Sequence, residues 1–189
     1  MASETDDTGT VEFEDPGVED VAYDEYDDLP STDIETELHV HFGMAGSFPL
    51  RLVDMFFADD GLHIVEYSYI TPMFGLGFKK HRREAGAMQD VYEVHGIDEV
   101  LLQADTVHWL NYRGIDRVLL HRGGFVGRPK LTVYPADGSR SHAIRLHEED
   151  DPDALAESLR EVAEGRPFDV VVENGSGFDP LENVQRFFS

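Results

Sequence analysis

Nine histidines and no cysteine decide which side-chain chemistry this 189-residue sequence can offer. Without a thiol, a disulfide scaffold, a thiolate zinc or iron–sulfur site and a cysteine nucleophile are all excluded. His39 and His41 stand out, because a His-x-His spacing in an alternating run puts both imidazoles on one face of a strand, where they can serve a metal. No carboxylate follows at short range, since positions 45 and 46 are Ala and Gly, and with nine histidines a chance pair is ordinary. The expectation is therefore no metal and no cofactor, with His39 and His41 as the candidate ligands should that fail. His63, His81, His95, His108, His121, His142 and His147 have no carboxylate at a recognisable spacing. The acidic run after His147 leads into a helix start, where negative charge favours the dipole.

The enzyme templates each fail on a named requirement. No serine sits in a Gly-x-Ser-x-Gly elbow, and Gly75-Leu76-Gly77 is half of a nucleotide fingerprint without the third glycine or a βαβ setting. There is no Walker sequence. What remains is a basic island, Lys79-Lys80-His81-Arg82-Arg83, directly after the apolar loop Pro72-Met73-Phe74-Gly75-Leu76-Gly77-Phe78. Such a cluster suits a phosphate, an anionic headgroup or an acidic peptide. The alternative is a solvated helical turn that pairs with the protein's own acidic segment. Arg122, Arg128 and Lys130, around Gly123, Gly124 and Gly127, are placed with the island as further candidate contacts. The apolar loop has two readings, an exposed contact or a plug over an open barrel end.

Charge isolates this island. The chain holds 39 Asp and Glu against 15 Lys and Arg, a net charge of −24. Residues 1–37 carry 15 of the acids and no base, leaving 24 acids against 15 bases, a net of −9, in the rest. That segment shows no helical or strand period and holds Pro16 and Pro30, so residues 1–34 read as a disordered acidic tail. Twelve of the bases are Arg and only three are Lys. Heavy acid use with scarce lysine resembles proteins of salt-in halophiles, where carboxylates keep a surface hydrated in molar salt. Net negative charge argues against nucleic acid as a partner. No apolar stretch is long enough to span a bilayer and the N-terminus lacks the apolar region of a secretory signal, so a cytoplasmic setting is expected.

The elements that must position these groups follow from periodicity. Alternation predicts strands over 37–42, 48–57 and 62–70, joined by short turns as an antiparallel meander. A helix is predicted over 81–94 and a short second one over 97–103. Strands resume at 106–110, 118–121, 130–134 and 142–147, the last two joined by Asp137-Gly138. Asp151 caps a helix with Pro152 at its first position and Leu155, Leu159 and Val162 on its stripe. A short strand over 168–172 follows. Trp109, within a strand, is expected in the core. The organisation is one domain, residues 35–173, with a helical insertion at about 81–104 and tails at 1–34 and 174–189.

A meander, a second group of strands and a closing amphipathic helix resemble pleckstrin-homology-like and GRAM-like domains. The stretch Trp109-Leu110-Asn111-Tyr112-Arg113-Gly114-Ile115-Asp116-Arg117-Val118-Leu119-Leu120 carries the resemblance, with Leu131-Thr132-Val133-Tyr134-Pro135-Ala136-Asp137-Gly138, then Ala143-Ile144-Arg145-Leu146 and the helix from Pro152. It covers residues 100–165 well and 36–70 loosely. The resemblance implies a mainly β fold, a seven-stranded bent antiparallel sandwich or open barrel closed by a C-terminal helix; the composition adds the expectation of a halophilic archaeon as source. His39-x-His41 is also similar to the start of a cupin metal motif, which needs a glutamate about four residues on and finds none.

The function expected on these grounds is a non-catalytic adaptor. It would dock a protein, an anionic small molecule or a lipid headgroup through Met73, Phe74, Phe78, Lys79, Lys80, Arg82 and Arg83, with Arg128 and Lys130. The alternative is a small metal-binding β-barrel or enzyme built on His39 and His41.

Overall fold

Alternating apolar and polar side chains produce extended chain, and among the described residues the pattern from residue 36 onward yields eight strands and two helices. The computed structural model describes residues 34–46, 50–70, 77–124, 127–147 and 151–175. In chain order these are β1 (Thr36–Ala45), β2 (Leu50–Ala58), β3 (Leu62–Ile70), α1 (Gly77–Gln103), β4 (Thr106–Leu110), a 3₁₀ turn (Tyr112–Gly114), β5 (Ile115–His121), β6 (Lys130–Pro135), β7 (His142–Arg145), α2 (Pro152–Ala163) and β8 (Asp169–Glu173). The expected acidic tail lies outside the described residues except for Ile34, as does the chain beyond Gly175.

All eight strands form one sheet in the order β4-β3-β2-β1-β7-β6-β5-β8. Neighbours pair antiparallel except β5 and β8, which run parallel from Arg117↔Asp169 to His121↔Glu173. A parallel neighbour requires a crossover, and α2 supplies it. β1 and β7 meet through a single residue pair, Met44↔Arg145. The sheet is thus two halves joined at one point, with β4 and β8 as its edges.

This corrects the pleckstrin-homology-like expectation. Among the described residues there are eight strands rather than seven, the sheet is mixed rather than antiparallel, and it is not closed into a barrel. The amphipathic helix does not end the domain; it carries the chain across to β8.

Period-two alternation splits β2 between two cores. Val53, Met55 and Phe57 join Leu62, Ile64, Val118, Leu120, Leu131, Val133 and Ile144 in the main core, which Ala156, Leu159 and Val162 of α2 complete. Phe56 points the other way and, with Val65, packs against Met88, Ile97 and Val100 of α1. The two helices therefore cover opposite faces of the first hairpin. α1 is interrupted at Gly96, whose φ of 78° and ψ of −173° break the helix between the two segments that periodicity separated. α2 starts as expected: Asp151 accepts from the amides of Asp153 at 2.9 Å and Ala154 at 3.4 Å, and Pro152 has no amide hydrogen to leave unpaired.

Trp109 is half exposed, at 52%, rather than in the core. It sits on edge strand β4 and lies over Gly61, where an added Cβ would meet its Nε1 at 2.8 Å. At the same end of β2, Tyr112 donates from its hydroxyl to the Ala58 carbonyl at 2.7 Å and stacks on Phe168. Arg166 lies over the Tyr112 ring at 4.3 Å and grips both carboxylate oxygens of Glu37, which ties the end of α2 to β1.

Candidate metal site

Asp54 is a lone carboxylate inside the apolar strand Leu50–Ala58, and its side chain is fully buried. A buried carboxylate without partners costs several kcal/mol, so its hydrogen bonds decide whether the strand can tolerate it. Alternation puts Asp54 on the face shared with Phe56, beneath α1. His39 and His41 of β1 lie on the same face.

Both imidazoles converge on one oxygen of that carboxylate. His39 Nε2 and His41 Nδ1 each lie 2.8 Å from Asp54 Oδ2. The second oxygen, Oδ1, accepts from the Phe42 amide at 2.9 Å and from the Tyr67 hydroxyl at 3.0 Å. Four partners thus satisfy the group from two neighbouring strands.

Register irregularities aim these donors. Between Val40↔Met55 and Gly43↔Val53, β1 spends one more residue than β2, a bulge in which Phe42 takes a φ of 58°. On the other side, Leu52↔Ser68 is followed by Val53↔Glu66, which leaves Tyr67 as the extra residue of β3. Bulges turn side chains and amides out of the regular ladder, and these two flank Asp54.

Electrostatics follow from the contacts. Burial pushes the Asp54 pKa up, but the hydrogen bonds and charge of His39 and His41 more than offset this and hold it at about 2. Burial, reinforced by the Asp54 charge, drives the Tyr67 phenol well above its ordinary value, so it stays a proton donor. The imidazoles are packed as well as bonded. His39 stacks on Phe56 with ring centres 4.1 Å apart and meets the edge of Tyr92 from α1 at 4.7 Å. The His39 side chain is 10% exposed and that of His41 30%, so the cluster opens on the His41 side.

The donor atoms of His39, His41 and Asp54 all lie within 4.8 Å of one another, and this is the one such three-residue group among the described residues. Two imidazole nitrogens and one carboxylate oxygen suit a transition-metal dication. The geometry supplies the third donor that the spacing of His39 and His41 lacked. The missing carboxylate comes from the neighbouring strand, not from the next few residues. Other histidines also find acids, His63 locally with Asp60 at 2.8 Å and His121 across the β5–β8 pair with Glu173 at 3.2 Å.

The residues assigned to a docking surface are not brought together by any contact described. Met73 and Phe74 lie outside the described residues, and Phe78 and Lys79 fall in the first turn of α1. Lys80 pairs with Glu84 at 3.2 Å, one helical turn on, while Arg82 and Arg83 are exposed. Glu84 also accepts from Ser68 Oγ and so pins α1 to β3. Burial raises its pKa, but the Ser68 and Lys80 hydrogen bonds outweigh this and leave it lowered. Arg122 pairs with Asp153 at 2.8 Å, and Arg128 and Lys130 are half-buried.

No protein-family model matches the chain, and no curated protein matches it. Among solved structures, the hSac2 domain from the human phosphoinositide phosphatase Sac2 matches with 11% sequence identity and a TM-score of 0.45, covering 82% of this chain and 88% of that one. A likeness at this level carries no activity, ligand or site residue to this chain, whose 189 residues include no cysteine. The pleckstrin-homology-like assignment is withdrawn on the open, mixed eight-stranded sheet, and the adaptor function that leaned on that resemblance is withdrawn with it; no match bears on a halophilic or archaeal origin. Among the described residues, polar groups converge under α1 at Asp54.

Proposed function

We propose that the protein binds a divalent transition-metal ion through His39 Nε2, His41 Nδ1 and Asp54 Oδ2. The observation that carries this reading is the convergence of those three donor atoms within 4.8 Å on a carboxylate that is fully buried. Borderline imidazole donors with a single carboxylate oxygen favour Zn²⁺, Co²⁺, Ni²⁺ or Fe²⁺ over Ca²⁺ and Mg²⁺, which take oxygen cages or retain water. Three protein donors leave positions for water or substrate, as catalytic metal sites do. The partly exposed edge of His41 is the side from which a ligand would enter. A bound ion there would act as a Lewis acid on water or on a polarised oxygen. A cytoplasmic setting belongs to the same proposal; among the described residues no helix is long and apolar enough to cross a membrane.

Titration of metal-stripped protein with Zn²⁺, Co²⁺, Mg²⁺ and Ca²⁺ by calorimetry tests the reading. One equivalent of Zn²⁺ or Co²⁺ is expected, lost in His39→Ala and His41→Ala, with no saturable heat from Ca²⁺. Absence of Zn²⁺ and Co²⁺ binding would leave Asp54 as a structural carboxylate only and overturn the proposal.

A further inference from the structure

The Asp54 carboxylate is divided between two tasks. Oδ2 faces the imidazoles, while Oδ1 is taken by two donors that neither histidine touches, the Phe42 amide at 2.9 Å and the Tyr67 hydroxyl at 3.0 Å. Each donor stands at a register irregularity, one on either side of β2. A regular antiparallel ladder would commit the residue-42 amide to the strand next to it and leave Tyr67 in step with β2. The irregularities thus serve the carboxylate, not the sheet.

From this we infer that Tyr67 is the positioning residue that makes Asp54 a one-oxygen ligand, so that the site offers a cation two nitrogens and one oxygen and keeps its remaining positions open. The inference rests on the metal-binding reading. A carboxylate with both oxygens free can close on an ion with two bonds, which fills a coordination position and favours larger, oxygen-seeking cations. Holding Oδ1 prevents that closure. Tyr67 acts through Asp54 and lies at hydrogen-bond distance from Oδ1, not Oδ2, so it is not itself a donor to the ion. Outer-shell partners of this kind commonly govern metal affinity by about 10–100-fold.

The test uses the full chain, stripped of metal and reloaded with Co²⁺ or Zn²⁺. In Tyr67→Phe, Co²⁺ affinity should fall about 10–100-fold. The visible Co²⁺ bands should weaken as the carboxylate closes and the coordination number rises. Thermal unfolding of the metal-free variant reports whether the fold survives. The wild type provides a second measurement that needs no variant. Infrared difference spectra of Zn²⁺ binding to ¹³C-aspartate-labelled protein should show the wide splitting of a carboxylate bound through one oxygen. Narrow splitting, or Co²⁺ affinity and bands unchanged in a folded Tyr67→Phe, would overturn the inference while leaving the metal site standing. No metal binding by the wild type would instead remove the reading beneath it.

Discussion

The amide of Phe42 points at Oδ1 of Asp54 from 2.9 Å, and it reaches there because Phe42 holds a φ of 58°, among the described residues the one positive φ outside glycine. A bulky residue in that region costs about 1–2 kcal/mol. Such a conformation persists only where its surroundings over-determine it. Here they do, through the bulge in β1, the carboxylate that needs a donor, and the stacking of Phe42 on His147 at 4.8 Å.

Removing the carboxylate should therefore damage the fold as well as the site. Asp54→Ala strands the Phe42 amide, the Tyr67 hydroxyl and two imidazoles beneath α1. A loss of about 3–5 kcal/mol is expected in urea unfolding of the metal-free protein. A change below about 1 kcal/mol would mean that the four partners find water instead.

Stability should also respond to acid in two steps. Burial, and then the charge of facing His108, lowers the pKa of His142, against an opposing pull from Glu66; Arg140 adds to the lowering. Burial likewise lowers that of His81, opposed by Glu84 and aided by Lys80. A histidine with a depressed folded pKa takes up its proton more readily when unfolded, so its penalty is absent above about pH 6.5 and grows as pH falls below it. Asp54 has the usual acid behaviour: its contribution is present above the unfolded value of 3.8 and is lost as pH falls toward about 2. Chemical unfolding from pH 7.5 to 5 should show the first decline, and His81→Gln/His142→Gln should flatten it.

Arg166 unites a planar grip on Glu37 with a ring contact to Tyr112. Lysine keeps the charge but not the fork or the stacking plane. Arg166→Lys should cost nearly as much as Arg166→Ala, about 1–2 kcal/mol each. Thermal melts that show full rescue by lysine would reduce the contact to simple charge.

Gly43 follows the Phe42 bulge, and a Cβ there would meet the Val53 carbonyl at 2.8 Å and Ile144 Cδ1 at 2.6 Å. The carbonyl belongs to the ladder and cannot swing aside. Gly43→Ala should destabilise by about 1–3 kcal/mol. Because the bulge aims the Phe42 amide, the same change should weaken Zn²⁺ binding, which calorimetry would show.

Local elements were legible in the sequence to the degree that period-two patterning is local. The strands at 62–70 and 106–110 appear with the bounds their alternation predicts, and Asp151-Pro152 starts α2 where cap chemistry requires. Strand order was not legible, because apolar spacing says which face a residue takes and nothing about its neighbour. The pleckstrin-homology-like expectation failed on that point, in the parallel placement of β8. The site was half visible. His39 and His41 declare themselves by spacing, but Asp54 lies 15 and 13 residues further on and reaches them only through the β1–β2 register. A signal was present: a single acid within Leu50-Arg51-Leu52-Val53-Asp54-Met55-Phe56-Phe57, where burial of an unpaired charge would be costly. Tyr67 gave none, since a tyrosine in a β-branched strand is ordinary and its role depends on a bulge.

The parallel pairing of β5 with β8 sets a timetable for the nascent chain. His39, His41, Asp54 and Tyr67 all emerge from the ribosome on the first three strands, whose hairpin pairings are local. β5 emerges with one edge already matched to come by β6, but its other edge stays bare until α2 and then Asp169–Glu173 have been synthesised. During that interval the Val118–Leu120 stretch presents unpaired amides and carbonyls to any other extended chain. Translation stalled before Asp169 would release a product with the strands of His39, His41 and Asp54 built and a sticky flank exposed.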